Sequence, residues 1–302
     1  MSKIHVLSQD TINKIAAGEV VERPMAVVKE LIENSIDAGA SAITVEIEDG
    51  GKSLIRVTDN GSGMEEEDIR LAFMPHATSK IKDVTDLLEV PSLGFCGEEK
   101  AMEQIGCPEG TTFLVRNLFY NTPARLKFLK TAQTEAGYIS GLLERMALSH
   151  PEIAFRLINQ KQQKLSTAGN GKLKDVIYHI YGRDITSNLI EAQRTEVFCK
   201  IEGFIAKPTV SRGNRNMMNY FINGRYIKSP VINRAIEEAY APYTMQHRYP
   251  FTALHFTIEP KYLDVNVHPQ KMELRFHKEK EIFQNVYDGI TETLKYREFI
   301  PE

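Results

Sequence analysis

Glu30, Asn34 and Asp37 stand four and three residues apart, a spacing that puts all three on one side of a helix. A carboxylate and an amide presented together can face a ligand, while Val27, Leu31 and Ile32 lie elsewhere around the same helix. Taken alone, a Glu-x-x-x-Asn pair is far more often a solvated helix face. A second group follows at Asp59-Asn60-Gly61-Ser62-Gly63. Its glycines let a backbone close on a ligand, and an Asp carboxylate accepts the hydrogens of an amino group. An ordinary Asp-Asn-Gly turn uses the same residues for purely local reasons, so only the combination of the two groups carries weight.

Other chemistries fail on spacing. Gly51-Lys52-Ser53 resembles the end of a P-loop, but Glu46 stands where that motif needs its first glycine. Gly61-Ser62-Gly63 begins a dinucleotide fingerprint, but Glu66 takes the third glycine's place and the acidic run after it would repel a pyrophosphate. The eight histidines form no His-Glu-x-x-His or Cys-His pairing and Gly-x-Ser-x-Gly is absent, which leaves protease and esterase readings without support. Cys96, Cys107 and Cys199 are odd in number and make no Cys-x-x-Cys pair, which argues against a disulfide framework or structural zinc and fits a reduced compartment.

Hydrophobic residues are 42% and charged residues 25% of the 302, the balance of a globular chain rather than a disordered one. No apolar run approaches the ~20 residues of a membrane span, and Met1-Ser2-Lys3-Ile4-His5 lacks a signal-peptide core, so a cytoplasmic protein is expected. The net charge of -3 gives no global attraction to nucleic acid. A local patch is available, because Lys200, Lys207, Arg212, Arg215, Arg225, Lys228 and Arg234 face only Glu202 in sequence.

The elements that must position these residues follow from periodicity. Pro24 to Ala38 reads as a helix that opens on proline and stops at Gly39. Ile43, Val45 and Ile47, a turn at Asp49-Gly50-Gly51, then Ile55 and Val57, read as a β-hairpin. Residues 65–73 read as a short acidic helix and 75–80 as a loop. Strands are expected at 112–118 and 154–158, with helices at 136–148 and at 172–181, the latter ending before Gly182. The pattern weakens around 183–195, which places a boundary between domains 1–192 and 193–302. Beyond it come a hairpin turning at Asn223-Gly224, a helix over 231–240, strands at 252–258 and 263–275, and a helix near 279–296.

The motifs, taken together, resemble the MutL mismatch-repair ATPases, within the group that includes gyrase-type subunits, heat-shock chaperones and histidine kinases. The resemblance rests on Ile15-Ala16-Ala17-Gly18-Glu19-Val20-Val21-Glu22-Arg23-Pro24, on Lys29 to Ala40 and on Asp59 to Gly63. It continues through His76-Ala77-Thr78-Ser79-Lys80-Ile81, Leu93-Gly94-Phe95, Asn121-Thr122-Pro123-Ala124-Arg125 and Asp264-Val265-Asn266-Val267-His268-Pro269, over nearly the whole chain.

The resemblance implies an α/β (α+β) chain: an ATPase α/β sandwich of the gyrase/MutL type with a left-handed crossover, followed by a ribosomal-protein-like βαβ domain. It makes Glu30 the general base that activates water against the γ-phosphate, and Asn34 the ligand of a Mg2+ ion bridging the phosphates. Asp59 would accept the adenine amino group, Gly61 and Gly63 would let the backbone close on the base, and Thr112 would support that pocket. Thr78 and Lys80 would belong to a lid over the nucleotide, Gly94 to a phosphate-cradling turn, and Lys271 would reach the γ-phosphate from the second domain. Arg212, Arg215, Arg225, Lys228 and Arg234 would contact DNA phosphates without reading sequence, although a solvated basic face is the equal alternative.

The implied function is slow ATP hydrolysis that gates pairing of two such regions into a DNA clamp. Its partners would be DNA, mismatch-recognition and downstream repair proteins and a second copy, with no membrane, in a bacterial-type cytoplasm at the nucleoid. The rivals are the ATPase subunit of a type II topoisomerase, not expected to carry Asn-Thr-Pro-Ala-Arg, and an adaptor that binds nucleotide without hydrolysing it. The chain departs from the family at Phe95-Cys96-Gly97-Glu98, where Arg-Gly-Glu is usual and some dozens of residues are absent before Gly110. A true deletion would take strands from the middle of a sheet, so the favoured reading joins two stretches across a missing segment, and Cys96, Gly97 and Glu98 receive no role.

Overall fold

The computed structural model describes residues 5–6, 21–64, 77–78, 109–264 and 275–295. The chain divides into two compact units, 1–144 with 152–171, and 145–151 with 172–302. The 192/193 boundary expected from the sequence falls inside a strand, Leu189–Glu196, which pairs along its length with Cys199–Ala206 in the second unit.

The elements run β1 (His5–Val6), α1 (Pro24–Asp37), β2 (Ala42–Glu48), β3 (Leu54–Asp59), β4 (Ala77–Thr78), β5 (Thr111–Arg116), α2 (Pro123–Leu126), α3 (Ala132–Ser149), β6 (Ala154–Asn159) and β7 (Gln162–Ser166). Pro24 suits the first helical turn because an N–H there would have no partner, and Gly39 at φ 73 lets the chain leave the helix. A five-stranded sheet has the order β5-β3-β2-β6-β7, with β2 and β6 parallel and its other neighbours antiparallel. Val27, Val28, Leu31 and Ile32 of α1 are buried, as are Ile43, Val45 and Ile47 of β2 and Ile55 and Val57 of β3. The loop expected at 75–80 contains a short strand, since Ala77 and Thr78 pair antiparallel with Val6 and His5. The helix expected at 65–73 lies outside the described residues.

The second unit holds α4 (Leu173–Thr186), β8 (Leu189–Glu196), β9 (Cys199–Ala206), β10 (Met218–Ile222), β11 (Arg225–Tyr226), α5 (Pro230–Tyr240), β12 (Thr252–Ile258), β13 (Leu263–Asp264), β14 (Arg275–Phe276) and α6 (Glu279–Lys295). Its sheet is ordered β11-β10-β12-β9-β8, and β10 and β12 are parallel neighbours joined through α5, a βαβ unit. The turn between β10 and β11 has Asn223 at φ 48 and Gly224 at φ 78, the paired positive values of a tight hairpin. Ser229 caps α5 by accepting a hydrogen bond from Ile232 N at 3.3 Å. Ile232, Ile236, Tyr240, Ile282, Val286 and Ile290 from the two helices join the apolar core against this sheet.

Two expectations need correction. The helix expected to end before Gly182 resumes after it and runs to Thr186, with Gly182 itself non-helical at φ 77 and ψ -174. The strand expected over 263–275 is replaced, among the described residues, by two short strands, with Leu263 pairing with Phe276 and Asp264 with Arg275 antiparallel. Burial pushes the Cys199 thiol up to about 11, so it stays protonated and inert at neutral pH. Among the described residues no helix is long and apolar enough to cross a membrane.

Candidate active site

The alternation that buries Ile55 and Val57 continues to Asp59, which is only 7% exposed, so the next inward-facing side chain of β3 is a carboxylate. Burying it requires donors, and the fold supplies them. Its Oδ1 accepts hydrogen bonds from Gly61 N at 2.9 Å and Thr111 N at 3.3 Å, while Oδ2 accepts from the Ser35 hydroxyl at 2.8 Å. Ser35 lies on the buried side of α1, one residue after Asn34, so the helix and the strand meet at this carboxylate.

Close backbone approach shapes the rest of the loop. A Cβ on Gly61 would lie 2.9 Å from both the Cβ and the carbonyl oxygen of Ala38, and one on Gly110 would lie 2.0 Å from the Asp59 carbonyl oxygen. Gly63 has φ 68. A side chain at Gly61 or Gly110 would have to move its neighbours, and one at Gly63 would be strained by the positive φ. The Asn60 side chain holds the loop to the start of β2, its Oδ1 accepting from Ser41 N at 2.9 Å and Ala42 N at 2.8 Å.

On α1, Glu30 and Asn34 are part-exposed, and Asp37 is exposed. Lys29 Nζ lies 2.9 Å from a Glu33 carboxylate oxygen and 3.8 Å from one of Glu30. Glu33 is thus the closer ion-pair partner of Lys29, and the Glu30 side chain is 31% exposed with its Oε2 buried.

The register corrects one assignment. Thr112 stands opposite Thr58, both are exposed, and their hydroxyls are 3.2 Å apart, so Thr112 sits on the sheet face away from Asp59. Its neighbour Thr111 pairs with Asp59 and supplies the N–H. Lys80, Gly94 and Lys271 lie outside the described residues, and Thr78 is described only by its backbone pairing in β4. Among the described residues no cluster of His, Cys, Asp and Glu could hold a metal by itself, so any ion here would be shared with a ligand's own oxygens.

In the second unit the basic segment is less uniform than its sequence. Arg215 is held in a fork by Glu237, with Nη2 3.0 Å from Oε2, and Arg234 lies 3.5 Å from Glu238 and over the Phe283 ring at 4.6 Å. Both acids stand on α5, outside the 200–234 window. Arg225 is half-buried in β11, whereas Arg212 and Lys228 are exposed. Arg212 and Tyr249 exchange backbone hydrogen bonds at 2.8 Å, which brings exposed Arg248 alongside Arg212. Sequence reasoning missed Arg248 because it lies fourteen residues past the 200–234 window and this bridge brings it back beside the segment.

Residues 22–87 match the family described as histidine kinase-, DNA gyrase B-, and HSP90-like ATPase, and residues 177–295 match the DNA mismatch repair protein, C-terminal domain. The DNA mismatch repair protein MutL of Agathobacter rectalis is 54% identical over 334 positions, covering 100% of this chain and 51% of that protein. The ADP complex of the Aquifex aeolicus MutL ATPase domain matches with TM-score 0.60 at 25% identity, over 88% of this chain and 98% of that one. The N-terminal domain of a DNA repair protein matches with TM-score 0.77 over 96% of this chain and 100% of that one, and at 22% identity it speaks to the fold alone. The chain spans about half the length of the curated relatives it matches.

Proposed function

The chain belongs to the MutL family of DNA mismatch-repair proteins, and from that premise we propose that its first unit binds ATP and hydrolyses it slowly, as a switch for assembly on DNA. The observation that carries the reading is the Asp59 carboxylate, fixed by Ser35, Gly61 and Thr111 beside a loop whose glycines let its backbone pack closely against Ala38 and Asp59. An amino group in the plane of a purine is a fitting donor to it, whereas guanine presents a carbonyl oxygen at that edge and would be repelled. Asp59 thereby selects adenine.

Hydrolysis falls to α1. Glu30 would orient and deprotonate the attacking water, and Asn34, one turn on, would offer its amide oxygen to Mg2+. That ion supplies charge neutralisation along the phosphates. Asn34 gives only one neutral ligand, which suits Mg2+ because it keeps waters and phosphate oxygens in most of its coordination sites. With Mg2+, the protein is expected to turn over ATP and not GTP in a single-turnover assay. Nucleotide that binds and is never cleaved would favour an adaptor instead.

The finer reading is that nucleotide-dependent pairing with a second copy closes a clamp on DNA for downstream repair proteins in the bacterial nucleoid. For the DNA contact, Arg212 and Lys228 are the better candidates, because Arg215 and Arg234 already have carboxylate partners. Binding should weaken steeply with salt, with a log–log slope of about -0.9 per phosphate neutralised on duplex. Reversing Arg212 and Lys228 to Glu should flatten that slope by about 0.9 for each phosphate no longer neutralised and leave ATP turnover intact. An unchanged slope across a salt titration would make the basic segment a solvated surface.

A further inference from the structure

The residue that opens α1 is gripped by a carboxylate that water does not reach. Glu135, in the first turn of α3, has a side chain 0% exposed. Its Oε1 accepts a hydrogen bond from Lys130 N at 2.9 Å and lies 3.6 Å from Arg23 Nη1. Its Oε2 is buried with no hydrogen-bond partner among the described residues. The Arg23 guanidinium also lies over the Tyr138 ring, 5.0 Å from its centroid. Two residues before it in the chain, the Val21 carbonyl accepts from Arg125 Nη1 at 3.2 Å.

The hairpin turn completes the junction. A Cβ on Gly50 would lie 2.6 Å from the Ala132 carbonyl oxygen and 3.1 Å from Glu135 Cβ, and one on Gly51 would lie 2.8 Å from Pro24 Cβ. Gly50 and Gly51 therefore let the first turns of α1 and α3 press on the same two residues.

A buried carboxylate with one oxygen unsatisfied is costly, and a neutral side chain would fill the space without that cost. Helix initiation uses Oε1, on Lys130 N at 2.9 Å, beside the Thr131 hydroxyl that accepts from Thr134 N at 3.3 Å, and gives no partner to Oε2. What the charge does is hold Arg23. Arg23 is the N-cap of α1, the residue from which the helix carrying Glu30 and Asn34 starts, so holding it bears on where that helix begins.

We propose that Glu135 is a positioning residue for the ATPase reaction: through Arg23 it fixes where α1 begins, and so the angle at which Glu30 and Asn34 meet the nucleotide. This role rests on the assignment of Glu30 as general base. It is tested on the whole chain with Glu135→Gln, which removes the charge and keeps an oxygen for Lys130 N, with Arg23→Met, and with the double variant. Turnover at saturating ATP should fall roughly tenfold or more in each single variant, as small misplacements of catalytic groups do, with ATP affinity unchanged. The double variant should be no slower than the slower single one, because both remove the same link.

Unchanged turnover in both single variants, losses that multiply in the double, or losses that merely track a lowered melting temperature and weaker ATP binding would overturn the positioning role. If Glu135→Gln does not fold, Arg23→Met gives the same reading alone, since the Arg23 side chain is 37% exposed. A wild-type protein that binds ATP without cleaving it removes the Glu30 assignment, and the positioning role with it. A cleaving wild type with indifferent variants removes the positioning role only.

Discussion

Glu30→Ala is expected to lower ATP turnover by about two to four orders of magnitude, or ~3–5 kcal/mol of barrier, while ATP affinity stays near that of the wild type. The reason is geometric. Glu30 and Asn34 are one turn apart on the part-exposed side of α1, while Val27, Val28, Leu31 and Ile32 pack that helix onto its sheet. Truncating a part-exposed Glu on a helix so anchored removes little apolar packing, so a large rate loss would report chemistry and not unfolding. Glu33→Ala is the internal control. Glu33 is the closer ion-pair partner of Lys29 at 2.9 Å, and helix pairs of this i,i+4 spacing contribute about 0.3–0.5 kcal/mol. Single-turnover rates with purified protein, alongside nucleotide affinity, would decide the matter. Equal losses in the two variants would deny Glu30 its special role.

Much of this arrangement is legible in the chain because it is local. The 3.6-residue recurrence of apolar residues from Val27 to Ile32 predicts α1, and the two-residue recurrence through Ile55 and Val57 predicts β3. The same alternation carries Asp59 inward. What sequence does not settle is register between distant strands. Thr111 and Thr112 are alike in type, and which one faces the carboxylate depends on the pairing of Asp59 with Thr111, made across 52 residues of chain.

Long-range charge pairing is hidden in the same way. Glu237 is brought to Arg215 from α5, 22 residues on, whereas Glu238 is one helical turn from Arg234 and falls only just past the 200–234 window. The weak pattern around 183–195 has a structural cause too. β8 is an edge strand, and beyond Ala192 its residues are exposed or half-buried, so its alternation fades where a boundary was expected.

Asp59→Asn should weaken ATP binding by roughly 1–3 kcal/mol while leaving the fold nearly as stable. The direction follows from the donors around the carboxylate. Gly61 N and Thr111 N both point at Oδ1, so an amide in this place must turn its oxygen to them and its NH2 group to the Oδ2 side. Ser35 tolerates that change, because its hydroxyl also has the Leu31 carbonyl at 3.0 Å to donate to and can then accept from the amide. The adenine amino group does not, since it would meet a second NH2 group and lose its acceptor. Calorimetric titration with ATP and thermal melts of both proteins make the check. If the variant binds ATP as tightly as the wild type, Asp59 is not the adenine acceptor. If it melts far below the wild type, the carboxylate holds β3 to α1 and its part in binding is secondary.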